Sequence, residues 1–277
     1  MLPKLAIQAL LRAYQHETGT LAYSKTAQSL ADDLGFGRVV GRRWLIDHSD
    51  RERIRDYLRA VERIDPATPA SAWSDASRID AAHLGANEKL AGRRPREGRV
   101  AVRAAGELLL DGNSIALPAQ SFLDLRIGHG AVFGHDAVIV IENFEAFVCY
   151  EDASISTAYV HPLLLFRGDA ANPSDGVMAF LRRTSLPVLC WPDFDPAGLQ
   201  IAATLPGCTA ILAPAAPVQV LNHSGREDLY LTQLRELEML ALTNECRALE
   251  QALRDCRCGL DQERMIAQRI PLRLWVR

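Results

Sequence analysis

Residues 186–206, which read LPVLCWPDFDPAGLQIAATLP, decide the fold. The apolar run at 188–191 predicts a buried strand that ends at Pro192. Pro196 and the apolar positions after it predict a helix, because proline is favourable at the first helical position. Asp193 and Asp195 lie between the two, at the carboxyl end of the strand, where open α/β sheets bind ligands. The stretch therefore predicts a strand–turn–helix unit whose two carboxylates could hold a metal ion.

Alternating strands and helices surround this unit. Apolar runs predict four strands, at 137–141, 159–166, 186–191 and 208–213. The segments between them predict three helices, at 144–150, 174–183 and 197–205. This order is typical of a Rossmann-like α/β domain with a parallel-rich sheet and right-handed crossovers. We assign the domain to residues 131–277 and expect residues 227–265 to be helical.

The first 70 residues predict a separate helical domain. Apolar positions at helical spacing indicate a helix at 3–15, Ser24 and Gly35 bound a second helix, and the capping box Ser49-x-x-Glu52 opens a third. Three short helices fit a winged-helix-like DNA-binding domain. They also fit an unspecialised helical cap, and both interpretations stay open.

Residues 71–130 are predicted to be a basic linker that contains a β-hairpin. Asp111-Gly112 lies between two apolar runs within 107–117, which is a turn signal. This hairpin is either the wing of the first domain or a connection between the two domains.

Positive charge is local in this chain. The 31 lysines and arginines and 34 acidic residues give a formal net charge of −3, so a surface for nucleic acid must be a cluster. The candidate phosphate contacts are Arg42, Arg43, Lys89, Arg93, Arg94, Arg96 and Arg99. The alternative is that these residues only solubilise the surface.

Composition predicts a reduced, cytoplasmic protein without membrane association. No apolar run approaches the ~20 residues that span a bilayer. Residues 1–17 lack the pattern of a secretion signal, and the six cysteines are scattered without metal-binding spacing.

Glu142 provides a third carboxylate for the site. It follows the predicted strand at 137–141, and parallel strands end at the same edge of a sheet, so Glu142 can meet Asp193 and Asp195. Carboxylate oxygens without nitrogen or sulfur donors suit Mg²⁺ or Mn²⁺. Three buried acids would repel each other unless a cation compensated them. The alternative for Asp193 is a helix cap.

Two motifs carry a resemblance to a known family. The order Ile-Glu-Asn-Phe-Glu at 141–145 and Trp-Pro-Asp-Phe-Asp-Pro-Ala-Gly at 191–198 resembles the Toprim domain of topoisomerases, bacterial primases and several nucleases. Within that group the chain is most similar to the A subunit of type IIB topoisomerases and to the Wadjet JetD and MksG-like nucleases. Residues 261–271 resemble a late Glu-Gln-Glu-Arg-Ile-Pro-like element, and residues 87–103 resemble the lead-in to the domain. The resemblance covers roughly residues 85–277.

The resemblance implies a function and roles for residues. Glu142 would be a general acid/base or metal ligand, Asp193 and Asp195 would bind Mg²⁺ or Mn²⁺, and Glu263 would be a further ligand or a solvated partner of an arginine. The protein would be a metal-dependent endonuclease for double-stranded, plasmid DNA. It would act as the nuclease subunit of an SMC-like ATPase complex, and a homodimer is a family expectation.

Two other functions remain. A type IIB topoisomerase-like transesterase needs an accessible tyrosine, yet Tyr14 and Tyr57 fall on apolar helix faces and no Tyr-Tyr pair occurs; only Tyr23 is expected to be exposed. The chain could instead bind DNA or a partner without cleaving it. We favour hydrolysis over transesterification because no convincing nucleophilic tyrosine accompanies the site, and over binding alone because three carboxylates without a metal would only cost stability.

Overall fold

A computed structural model describes residues 2–86, 88–126, 133–169 and 174–277. The chain divides into two compact units, Met1–Pro95 and Arg96–Arg277. Each unit has its own hydrophobic core.

The first unit combines helices with a small antiparallel sheet. Its helices are α1 (Lys4–Gln15), α2 (Lys25–Leu34), α3 (His48–Ala60), α4 (Ala70–Ser74) and α5 (Arg78–Leu84). Its strands are β1 (Thr20–Ala22), β2 (Arg38–Val40) and β3 (Arg43–Leu45), which pair in the order β1-β3-β2. Ile7, Leu10 and Trp44 are among the side chains buried between these elements. The predicted bounds of α2 are confirmed: Ser24 accepts a hydrogen bond from Ala27 N, and Gly35 closes the helix at φ 66°.

The predicted start of the third helix is wrong by a few residues. Asp47, not Ser49, is the N-cap of α3, and it forms a reciprocal capping box with Asp50. Asp50 Oδ1 also accepts a hydrogen bond from Gly37 N, so the box ties the helix to the loop before β2. This long-range bond selects the aspartate over the serine.

The second unit is built on an eight-stranded sheet. Its strands are β4 (Arg99–Ala104), β7 (Leu123–Arg126), β8 (Val138–Ile141), β9 (Ile155–Ser156), β10 (Leu163–Phe166), β11 (Val188–Trp191), β12 (Cys208–Pro214) and β13 (Leu272–Val276). The order is β7-β4-β10-β8-β11-β12-β13-β9. A separate hairpin pairs β5 (Leu108–Leu110) with β6 (Asn113–Ile115). The helices are α6 (Phe144–Val148), α7 (Asp175–Leu181), α8 (Pro196–Thr204), α9 (Pro217–Ser224), α10 (Glu227–Leu231), α11 (Leu234–Met239), α12 (Arg247–Cys256) and α13 (Gln262–Ala267).

The four central strands, β10-β8-β11-β12, are parallel, as the alternating order predicted. Every residue of β8, β10 and β11 is buried, which explains why these strands appear in the sequence as unbroken apolar runs. Phe166, Ile141 and Trp191 are neighbours across the sheet, so these three strands end in register. The residues that follow them lie at one edge of the sheet.

Both flanks of the parallel core differ from the prediction. Part of the expected basic linker, residues 99–104, is strand β4, which pairs antiparallel with β10 and β7. Arg103 is buried there because carbonyl groups of Phe147 and Val148 and the carboxylate of Glu151 hold its guanidinium. The hairpin predicted at 107–117 is present and belongs to the second unit.

The end of the chain is less helical than expected. Residues 227–265 form several short helices separated by non-helical residues, and β13 follows them and pairs antiparallel with β12. Within the described ranges no helix is long and apolar enough to cross a membrane.

Candidate metal centre

The site lies at the shared carboxyl edge of β10, β8 and β11. Parallel pairing places Arg167, Glu142 and Pro192 directly after these three strands, in that lateral order. Asp193 follows Pro192, so the fold brings Glu142 and Asp193 together across 51 residues of sequence. The expected convergence of these two acids is therefore a consequence of strand register.

Glu142 is held between an arginine and a backbone amide. Arg167 Nη2 lies 3.4 Å from Glu142 Oε1, and Asp193 N donates to Glu142 Oε2 at 3.1 Å. The Glu142 side chain is 12% exposed. Its pKa is raised, chiefly because burial disfavours the charged form; the positive charge of Arg167 acts in the opposite direction.

Asp193 has one oxygen engaged by amide donors. Gln262 N donates to Asp193 Oδ1 at 2.8 Å, and Asn143 Nδ2 donates to the same oxygen at 2.9 Å. Burial and the nearby charge of Glu142 raise the pKa of Asp193 from 3.8 to about 7 despite these bonds. Within the described ranges no group donates to Asp193 Oδ2, so this oxygen is the one left for a cation.

Asp195, rather than Asp193, is the helix cap. Its Oδ1 accepts from Gly198 N at 2.7 Å, and its Oδ2 accepts from Gln233 Nε2 at 2.9 Å. Burial raises the pKa of Asp195, and these hydrogen bonds lower it in part. Both oxygens of Asp195 are engaged, so it would reach a metal only by exchanging one of these partners.

Two glycines let the backbone pack against the acidic turn. A Cβ on Gly198 would lie 2.2 Å from Asp193 O, and a Cβ on Gly259 would lie 2.7 Å from Asp195 Cβ. Phe194 and Leu260 form an isolated antiparallel bridge beside them. The turn between β11 and α8 is thus clamped by the segment before α13.

Glu263 lies at the rim of the site. Asn143 Nδ2 donates to Glu263 Oε2 at 3.2 Å while it also bonds Asp193. Asn143 lies at the N-cap position of α6, but its side chain makes no cap bond and instead links the two acids. Glu263 therefore shares a donor with Asp193, and no ion pair with an arginine holds it within the described ranges.

The donor set suits a hard divalent cation. The groups gathered here are carboxylate and amide oxygens, which Mg²⁺ and Mn²⁺ prefer. Among the described residues, no three acidic, histidine or cysteine side chains already point at a common position. A cation would be held by Asp193 and Glu142, with Asp195 and Glu263 nearby, and its charge would offset the burial and the mutual repulsion that raise the pKa values of Glu142 and Asp193.

Three residues of the site escaped sequence analysis. Gln262 is fully buried; its Oε1 accepts from Asn143 N at 2.7 Å and its Nε2 donates to Trp191 O at 2.9 Å. Gln233 accepts from Ala197 N while it donates to Asp195. Arg167 faces Glu142. The sequence signals were the position of Arg167 at the end of a predicted strand and the presence of Gln262 in the element at 261–271, whereas Gln233 had none.

The predicted phosphate contacts fall into different environments. Arg42 lies in the turn of the β2–β3 hairpin and Arg43 begins β3; both are exposed, and neither forms an ion pair within the described ranges. Arg96 and Arg99 both pair with Asp124, at 3.2 and 3.0 Å.

The remaining basic candidates lie before β4. Arg93 and Arg94 are exposed, and Lys89 lies in the 3-10 turn Glu88–Leu90 with a side chain outside the described part of the structure. Of these cationic groups, the hairpin arginines are the most available to a phosphate.

The tyrosines agree with expectation. Tyr23 is 45% exposed, whereas Tyr14 and Tyr57 pack against the core of the first unit. The Tyr57 hydroxyl donates to Glu62 at 3.3 Å.

These features define an α/β protein with a buried carboxylate cluster at the carboxyl edge of a mixed sheet. Residues 97–274 match the family described as a domain of unknown function, DUF7281, and the chain belongs to this family. No curated protein matches the chain.

Proposed function

We propose that the second unit is a Toprim-like domain and that the protein is a metal-dependent endonuclease. The observation that carries the proposal is the pair Glu142 and Asp193, two mostly buried carboxylates with raised pKa values after adjacent parallel strands. A fold that only needed stability would gain nothing from this pair. A bound Mg²⁺ or Mn²⁺ would supply charge stabilisation for a phosphodiester.

Individual residues of the site can be assigned roles in phosphodiester hydrolysis. Water oxygen adds to phosphorus, the bond from phosphorus to one sugar oxygen breaks, the water gives up a proton, and the departing oxygen gains one. Glu142 lies beside Asp193 and suits the proton transfer where it does not itself bind the cation. Gln262 and Asn143 orient Asp193 through their bonds to its Oδ1.

We further propose that the first unit is winged-helix-like and binds the DNA. Its sheet order β1-β3-β2 supports this, because β2 and β3 form a hairpin that follows α2. Arg42 and Arg43 are exposed on that hairpin beside Val40, which is 56% exposed. The wing is therefore assigned to residues 38–45 rather than to the hairpin of the second unit.

The biological setting is proposed from the Toprim resemblance. The chain would be cytoplasmic, would cleave double-stranded plasmid DNA as the nuclease subunit of an SMC-like ATPase complex, and would act as a homodimer. Double-strand cleavage needs two sites, which supports the dimer.

Incubation with supercoiled plasmid and Mg²⁺ or Mn²⁺ tests the proposal. We expect nicked and linear products from the wild type and none from Asp193→Ala. Asp228→Asn is the matched control, because Asp228 is an exposed carboxylate paired with Arg226. Cleavage by Asp193→Ala would refute the site.

DNA binding without cleavage at any enzyme concentration would indicate a binding module. Ends covalently attached to protein, and lost in Tyr23→Phe, would indicate a transesterase.

A further inference from the structure

Arg167 is the cationic side chain that the register of β10 and β8 places beside the carboxylate cluster. Its backbone N donates to Ile141 O at 2.8 Å, which fixes the residue beside Glu142 at the end of β10. Asp193 lies on the other side of Glu142, after β11. An anion seated over Glu142 would thus have Arg167 on one flank and the Asp193 carboxylate on the other.

The contact between Arg167 and Glu142 is weaker than a structural ion pair. It is made by a single nitrogen, Nη2, at 3.4 Å, whereas bidentate arginine–carboxylate pairs have bonds of about 2.7–2.9 Å. Arg167 Nε is buried and has no hydrogen-bond partner within the described ranges. Leaving such a buried donor unsatisfied lowers stability. The side chain is 28% exposed, so its end is open to a ligand.

We propose that Arg167 is a catalytic residue that binds a non-bridging oxygen of the scissile phosphate. The planar fork of a guanidinium matches two phosphate oxygens, and its charge stabilises the negative charge that grows during phosphoryl transfer. This inference rests on the proposed phosphodiesterase function and adds to it a residue that binds substrate. Glu142 keeps Arg167 in place until an anion takes over the free donors.

The competing interpretation is that Arg167 only neutralises and orients Glu142. The two interpretations predict opposite effects on metal binding. If Arg167 binds phosphate, removing its positive charge leaves the Mn²⁺ affinity unchanged or raises it, because one charge that repels the ion is lost. If Arg167 instead positions Glu142 as a ligand, its removal weakens Mn²⁺ binding in parallel with cleavage.

The experiment compares wild type, Arg167→Ala, Arg167→Lys and Arg247→Ala. Arg247 is a matched control because it is exposed and begins α12 next to Cys246. The Cys246 thiol donates to carbonyls of β13 that lie beside the start of the parallel strands, opposite the carboxylate edge. Three quantities are measured: Mn²⁺ affinity by calorimetry, affinity for a labelled DNA duplex in Ca²⁺ over a salt series, and the rate of plasmid cleavage in Mn²⁺.

For Arg167→Ala we expect cleavage to fall on the order of 10²-fold and the slope of log affinity against log salt to fall by about 1. Mn²⁺ affinity should be unchanged or tighter. Arg167→Lys should recover part of the cleavage and DNA affinity, because it keeps the charge and loses the fork. Arg247→Ala should match the wild type in all three measurements.

Two results would overturn the inference. One is a loss of Mn²⁺ affinity in Arg167→Ala that parallels the loss of cleavage. The other is a DNA affinity and salt slope equal to those of the wild type. The DNA measurement decides the matter even if the wild type does not cleave, so a failure of the proposed nuclease function is distinguishable from a failure of the role of Arg167.

Discussion

Replacement of Asp193 by asparagine removes a carboxylate whose negative charge destabilises the folded protein when no metal is bound. Burial and Glu142 raise the pKa of Asp193 from 3.8 to about 7. At about 1.4 kcal/mol per pH unit, this difference corresponds to at most about 4 kcal/mol. Asparagine keeps the oxygen that accepts from Gln262 N and Asn143 Nδ2 and is neutral at every pH. We therefore expect Asp193→Asn to be more stable than the wild type without metal.

The pH dependence has a definite sign. Because the folded-state pKa of Asp193 is raised, its contribution to stability is fully present below about 3.8 and is lost as the pH rises through about 7. The variant has no such loss. The stability difference should be near zero at about pH 4 and should grow to about 2–4 kcal/mol at about pH 8.

Urea unfolding of the chelator-treated proteins, followed by circular dichroism at both pH values, measures this difference. Addition of Mn²⁺ should stabilise the wild type and not the variant, because only the wild type binds the ion. Asp228→Asn is the control; it loses an exposed pair with Arg226 and should gain no stability. The reasoning is refuted if Asp193→Asn is no more stable than the wild type at about pH 8 without metal.

Three further predictions concern other parts of the molecule. Gly198→Ala should lower stability by about 1–3 kcal/mol and weaken Mn²⁺ binding in calorimetry, because its Cβ would lie 2.2 Å from Asp193 O. Asp195→Asn keeps a good cap and should lose less Mn²⁺ affinity than Asp193→Asn; an equal loss would show that Asp195 leaves its cap for the metal. Combined alanine substitution of Arg42 and Arg43 should leave unfolding unchanged and lower the salt slope of DNA binding by about 2, and an unchanged slope would contradict the role of the hairpin.

Sequence predicted the parts of the fold that depend on continuous burial. The strands β8 and β11 are apolar throughout and β12 is apolar apart from Thr209, so the sequence alone identifies them as strands. The convergence of Glu142 and Asp193 then followed from the rule that parallel strands end at one edge. Strand β4 was missed because Arg99 and Arg103 made it resemble a charged linker.

The supporting residues could not be predicted because they depend on contacts across the chain. Gln262 and Asn143 are 119 residues apart, and no sequence motif links the two positions. Pro196 at the first helical position already makes Asp195 the cap residue, but the sequence does not show that Gln233, in the turn before α11, occupies the second oxygen of Asp195. The three-dimensional donors then show which oxygen atoms of the two aspartates are already engaged.

The distribution of donors also suggests how the site responds to an ion. Both oxygens of Asp195 are engaged and one oxygen of Asp193 is engaged, so Asp193 Oδ2 is the first available ligand atom. The next is Glu142 Oε1, whose only hydrogen-bond partner in the described ranges is Arg167 Nη2, at the long distance of 3.4 Å. A cation that takes this oxygen must compete with the guanidinium, and Arg167 is then free to bind a phosphate. Metal binding and substrate binding would in this way be coupled through one carboxylate, because the group that leaves Glu142 is the group that the phosphate needs.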